Sequence, residues 1–248
     1  MNEAQAAAEG ALDRFKQIIV ATGADEVWRY LVRDVWSQNL DRYEPDELGD
    51  TPKALGLQCS ENLRELAVRR KAGDNREAPE DHWTVPELSI STPRSVLTMT
   101  IDGRRVVPMK VPMSHGRTPH FDRFRDWEHE SDVRNEMAKR NSRALGGFTT
   151  ANLGQPMLIP ETFDSLAIDD FMLLWAGDPD NPLTAGYLTI PAKGPVPFAA
   201  TTTLWWDEAD EAPRSKMRHT PDGPSFDQKG VLAPAITLKP RPAAEGQA

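Results

Sequence analysis

Apolar residues at the start of the chain recur at helical spacing. Leu12, Phe15, Ile18 and Ile19 fall on one face and predict a helix from about Ala6 to Ala21. Gly23 reads as its stop and Asp25 as the cap of the next helix. In DEVWRYLVRDVWSQN, residues 25–39, Val27, Leu31 and Val35 recur every four positions. Trp28, Val32 and Trp36 repeat the pattern one step on, making a broad apolar stripe. The two segments predict a helical hairpin. Indoles four residues apart can stack on bases, but within such a stripe they read as core or interface packing. RYEPDELGDTPKALGLQ, residues 42–58, is interrupted by Pro45, Gly49, Pro52 and Gly56 and reads as a polar connection. CSENLRELAVRRKAG then predicts a helix capped by Ser60, with Leu63, Leu66 and Ala67 inward and Gly73 at its end.

The pattern next changes to a period of two. HWTVPELSI, RSVLTMTI and RRVVPMKVP predict three strands. Asp102-Gly103 between the second and third is a short-hairpin signal. Pro86 and Pro108 lack an N–H for the ladder and suit edges or bulges. ESDVRNEMAKRNSRAL predicts a helix capped by Ser131, with a weak stripe of Val133, Met137, Ala138 and Ala144. GGFTTANLGQP reads as a hinge or linker. IDDFMLLWAG, LTAGYLTI and FAATTTLWW predict an antiparallel meander, and VLAPAITL a further strand. The tract from Asp207 to Lys229 reads as an extended loop.

These elements predict an α+β fold with an N-terminal helical hairpin, a central mixed α/β segment containing a β-hairpin, and a C-terminal antiparallel β-meander. Residues 1–145 form the helical hairpin plus the central αβββα segment. Residues 146–240 form a β-rich part that packs either separately or into the same domain, and 241–248 are a disordered tail.

Composition narrows the class of protein. A 248-residue chain with 39% hydrophobic and 27% charged residues buries a sizeable core without staples. One cysteine, Cys59, cannot form an internal disulfide. The opening MNEAQAAAEGALDRF lacks the apolar core of a signal peptide, and no run of apolar residues is long enough to span a membrane. The expected location is the cytoplasm. The net charge of −9 disfavours broad nucleic-acid binding. Only the segment 60–145 is slightly basic, so an anionic partner would have to meet the chain there.

Two segments concentrate candidate chemistry. The first is SVLTMTIDGRRVVPMKVP, with Lys110 near its end and Asp102 at its turn. A helix, three strands and a helix in succession over 60–145 resemble the core of the PD-(D/E)XK nuclease superfamily. That resemblance implies a Mg²⁺-dependent nucleic-acid hydrolase, with Lys110 positioning water and acids drawn from Glu61, Glu65, Glu87 and Asp102. The family pattern is acid-x-lysine; here the position two before Lys110 is Pro108. Without the acid, Lys110 reads as a strand-edge lysine and Asp102 as a turn residue.

The second segment is the loop SHGRTPHFDRFRDWEHE. His115, His120 and His129 lie near Asp122 and Asp126 and offer metal-ligand chemistry, at intervals that match no established ligand motif. Arg117, Arg123 and Arg125 alternate with Phe121, Phe124 and Trp127. Such side chains grip phosphates and stack on bases, or anchor a protein partner. WWDEADE places Trp205 and Trp206 before an acidic run, a second aromatic anchor. No Walker loop, GxGxxG or GxSxG occurs. The sequence therefore predicts a non-catalytic protein working through protein contacts at Arg117, Phe121, Arg123, Arg125, Trp127, Trp205 and Trp206, without a cofactor. The alternatives are the Mg²⁺-dependent hydrolase and a nucleic-acid binder that does not cleave.

Overall fold

The structure, a computed structural model, describes residues 3–71, 85–111, 117–118, 131–152 and 165–208. All of them belong to one compact unit, Met1–Arg214. The described residues contain four α-helices: α1 (Glu3–Thr22), α2 (Ala24–Leu40), α3 (Pro52–Lys71) and α4 (Asp132–Ala144). Six strands, β1 (Ser89–Ser91), β2 (Thr98–Ile101), β3 (Arg104–Lys110), β4 (Asp170–Gly177), β5 (Thr184–Pro191) and β6 (Phe198–Trp206), form a single sheet in sequence order. The fold is α+β. Among the described residues, no helix is long and apolar enough to cross a membrane.

All neighbouring strands are antiparallel except β3 and β4, which run parallel. The chain between those two contains α4, as a parallel connection requires a crossover. One face of the sheet carries α1, α2 and α3, packed through Phe15, Trp28, Leu31, Trp36, Leu63 and Trp175. The other carries α4, where Met137 meets Met172, Leu174 and Tyr187. Helices on both faces explain why β4 and β5 are buried along their whole length.

Local chemistry sets the element boundaries. Gly23 takes a left-handed conformation, φ 75°, and turns the chain from α1 into α2 with no side-chain cap. Asp25 therefore sits in the first turn of α2, where its charge favours the helix N-terminus, and does not cap it. The third helix starts earlier than the breakers suggest. Pro52 opens it, Thr51 Oγ1 accepts from the Ala54 amide at 3.1 Å, and Ser60 lies inside it. Proline is favourable at a first helical position because no intrahelical partner is lost there. Ser131 caps α4, accepting from the Arg134 amide at 3.3 Å.

The strands near residue 90 are shorter than the alternation predicts, because Pro86 lies in a turn and Pro93–Ser95 form a single 3-10 turn. Asp102 and Gly103 both have positive φ, as a tight hairpin requires. Pro108 lies within β3 without breaking it. The amides of Arg105 and Val111 both donate toward the β4 side. By the two-residue period, the nitrogen of Pro108 points to the other flank, where β2 pairing has already ended at Val106. Phe148 and Thr150, in the segment read as a linker, are buried, and Thr150 Oγ1 donates to the Val196 carbonyl at 2.6 Å. The segment VLAPAITL and the tail lie outside the described residues.

Two glycines make room for tryptophan rings against the sheet. A Cβ on Gly177 would stand 2.1 Å from the Trp36 ring, and one on Gly186 would stand 2.2 Å from the Trp205 ring. Gly177→Ala and Gly186→Ala are therefore expected to lower stability by about 1–3 kcal/mol or more in urea unfolding. Gly56→Ala in α3, with nothing within 4 Å, should raise it by about 0.5–1 kcal/mol. Neutral behaviour of the two sheet variants would contradict this packing.

Candidate functional site

The end of the sheet at Lys110 is lined with aromatic rings. Lys110, Trp175, Gly186 and Trp205 are register partners across four strands. On the face toward the helices, the Lys110 ammonium lies 4.9 Å from the Trp36 ring centroid and 5.7 Å from that of Trp175. It donates to the Val111 carbonyl at 3.2 Å. Burial holds its pKa below the usual lysine value, an effect that the nearby Cys59 opposes. Cys59, fully buried on α3, is pushed up to about 11, mainly by burial. Its thiol is therefore protonated at neutral pH and not an activated nucleophile. Beside this pair, a small cavity of about 160 Å³ is lined by Ser60, Leu63, Arg64, Leu97, Pro108 and Trp175.

The acids proposed for a hydrolase do not converge on Lys110. Glu61 and Glu65 both bond to Arg64 on the outer face of α3, at 2.5 Å and 3.1 Å. Asp102 pairs with Arg104 at the hairpin turn. That turn is at the far end of a seven-residue strand from Lys110, a span of about 20 Å. Glu87 is exposed and just precedes β1. Ser89 is in register with Thr100, and Thr100 with Arg105, so Glu87 lies at the Arg104 end as well. Among the described residues, no three His, Cys, Asp or Glu side chains gather closely enough to hold a metal ion. His115, His120, His129, Phe121, Arg123, Arg125 and Trp127 lie outside the described residues.

A second cluster forms at the end of β6, where strand alternation divides the tryptophan pair. Trp205 faces the helices. It is buried on Gly186, and its indole N–H donates to Thr184 Oγ1 at 3.1 Å. It therefore belongs to the core and not to a contact surface. Trp206 faces the other way and is 38% exposed. The Arg117 guanidinium lies 4.2 Å above its ring and donates to the Asp207 carbonyl. The Arg117 carbonyl accepts from Tyr187 Oη at 2.8 Å. Burial raises the pKa of that phenol to about 12 despite the arginine, so it stays a donor.

Asp207 anchors this arrangement. Its side chain is fully buried and accepts from the Thr184 amide at 2.9 Å and from Thr184 Oγ1 at 2.7 Å. Arg29 Nε is 2.8 Å from Oδ1, and Arg33 Nε is 3.5 Å from Oδ2. Three arginines thus meet one carboxylate residue. Sequence reading missed Arg29, Arg33 and Thr184. The available signal was the spacing of Arg29 and Arg33, four apart beside the apolar stripe of α2.

A lysine buried against two indoles is a stability liability that can be measured. With its folded pKa below the unfolded value, Lys110 is charged in the unfolded chain over a pH range where the folded chain has released the proton. Its unfavourable contribution is full below the folded pKa and fades as pH rises toward about 10.4. Cys59 acts in the opposite sense, since a raised thiol pKa costs stability as pH climbs from about 8.5. Lys110→Met is expected to be more stable than the parent at pH 7, with the difference shrinking at alkaline pH. A variant less stable at pH 7 would show that the ammonium–indole contacts outweigh burial.

No family model matches the chain, and neither a curated protein nor a solved structure matches it.

Proposed function

We propose that this chain is a cytoplasmic binding protein that acts through contacts with another protein, using the Trp206–Arg117 surface at the end of β6. The observation that carries the reading is a large indole left 38% exposed while its position is fixed from several sides. Arg117 covers one face, Tyr187 holds the Arg117 backbone, and the Asp207 node locks the strand end. Tryptophan and arginine dominate binding energy at protein interfaces. An anchor already fixed loses little conformational freedom on binding, which favours affinity. Trp205 supports the surface from the opposite face of the sheet and takes no part in the contact.

Photo-crosslinking of the full chain in its native cells tests this reading. Trp206→p-benzoylphenylalanine is expected to form a discrete protein adduct. The same residue placed at exposed Leu166 should form none. Arg117→Ala should weaken the adduct about tenfold while changing stability by no more than about 1 kcal/mol. Equal adducts from both positions, or no adduct at 206, would contradict the proposal.

A further inference from the structure

A groove of about 590 Å³ lies on the α4 side of the sheet, between the approach to β2 and the first two turns of α4. Its size falls within the range of small-molecule sites, which are typically about 300–1,000 Å³. Val96 and Val133 give it apolar patches, while Arg94 stands on one wall and Asp132 and Asn135 on the other. The side chains of Arg94, Asp132 and Asn135 make no hydrogen bond or ion pair with another described residue. The remaining charges are already matched. Lys139 bonds to Glu136 at 2.6 Å, and Arg140 bonds to Asp170 at 2.5 Å.

The backbone that carries Arg94 is unusual. Arg94 and Ser95 both have positive φ, 52° and 65°, although neither is glycine. The turn is held by Ser95 N–H to the Thr92 carbonyl at 3.2 Å and Val96 N–H to the Pro93 carbonyl at 3.0 Å. From α3, Arg64 Nη1 donates to the Ser95 carbonyl at 3.2 Å. Strain that the surroundings enforce is characteristic of ligand sites. Here it puts a guanidinium without a partner among the described residues on the wall of a groove. Opposite charges on the two walls that do not neutralise each other favour a ligand carrying both signs.

We propose that this groove binds a small zwitterion of the amino-acid or dipeptide class, its carboxylate on Arg94 and its ammonium on Asp132. The inference is independent of the contact surface at Trp206.

Amide chemical-shift mapping of the full chain tests it, with pooled free L-amino acids and L-alanyl-L-alanine as probes. Binding should move the amides of residues 94–98 and 132–136. Acetyl-alanyl-alanine amide, which lacks both charges, should bind at least about tenfold more weakly than the free dipeptide. Asp132→Asn should cost a similar factor. Arg94→Gly removes the guanidinium and relieves the left-handed strain, so it should raise the melting temperature while abolishing binding. That separates loss of the site from loss of the fold. The proposal fails if no probe moves these amides. It also fails if the blocked dipeptide binds as well as the free one, or if inorganic phosphate binds equally well and Asp132→Asn leaves binding unchanged.

Discussion

Asp207 holds a carboxylate in the interior at the end of β6, and much of the molecule's order at that end depends on how the charge is compensated. Removing an ion from water costs several kcal/mol even after relaxation, so a buried carboxylate persists only where its oxygens are fully bonded. Thr184 bonds it from β5 through both amide and hydroxyl, and Arg29 and Arg33 reach it from α2. One side chain thus fastens a helix to two strands. Asp170 plays a parallel part on the other face. Its carboxylate bonds Arg105 and Arg140, and Asn141 donates to its carbonyl, so α4 is fixed to β3 and β4.

With the strand end fixed, the tryptophans divide by parity. Trp205 fills the space above Gly186 within the sheet, and Trp36 fills the space above Gly177, so the missing Cβ of Gly177 lets α2 approach the sheet. Trp206 is turned outward by the same alternation and meets Arg117. The exposed indole is therefore a consequence of core packing, since shifting β6 by one residue would bury Trp206 and expose Trp205. Lys110 follows the same rule. Its position in β3 directs it toward the helices, into an aromatic setting where the ring faces offset only part of the cost of burying the cation.

Much of the fold was legible because periodicity reports one-sided burial. The stripe of Val27, Leu31 and Val35 identified α2, and Asp102-Gly103 identified the hairpin, since each depends on neighbours in sequence. The start of α3 was obscured because Pro52, a breaker in isolation, is favourable at a first helical position, and Gly56 lies in the second turn without ending the helix. The parallel joining of β3 to β4 left no local trace, since it brings together segments separated by a long crossover. The same limit governs the sites. Trp206 and Arg117 were visible as aromatic and cationic side chains, but Arg29, Thr184 and Asp207 meet only through tertiary structure. Arg94 gave no signal, because its left-handed backbone is imposed by bonds from Arg64 and the turn.

The most direct test of this account is a double-mutant cycle on the buried node, with Asp207→Asn, Arg29→Gln and the pair compared by urea unfolding. Two side chains bonded at 2.8 Å, one of them fully buried, should show a coupling energy of about 1–3 kcal/mol. A coupling indistinguishable from zero would mean that the carboxylate does not fasten α2 to the sheet, and the explanation given for the outward-facing Trp206 would fall with it.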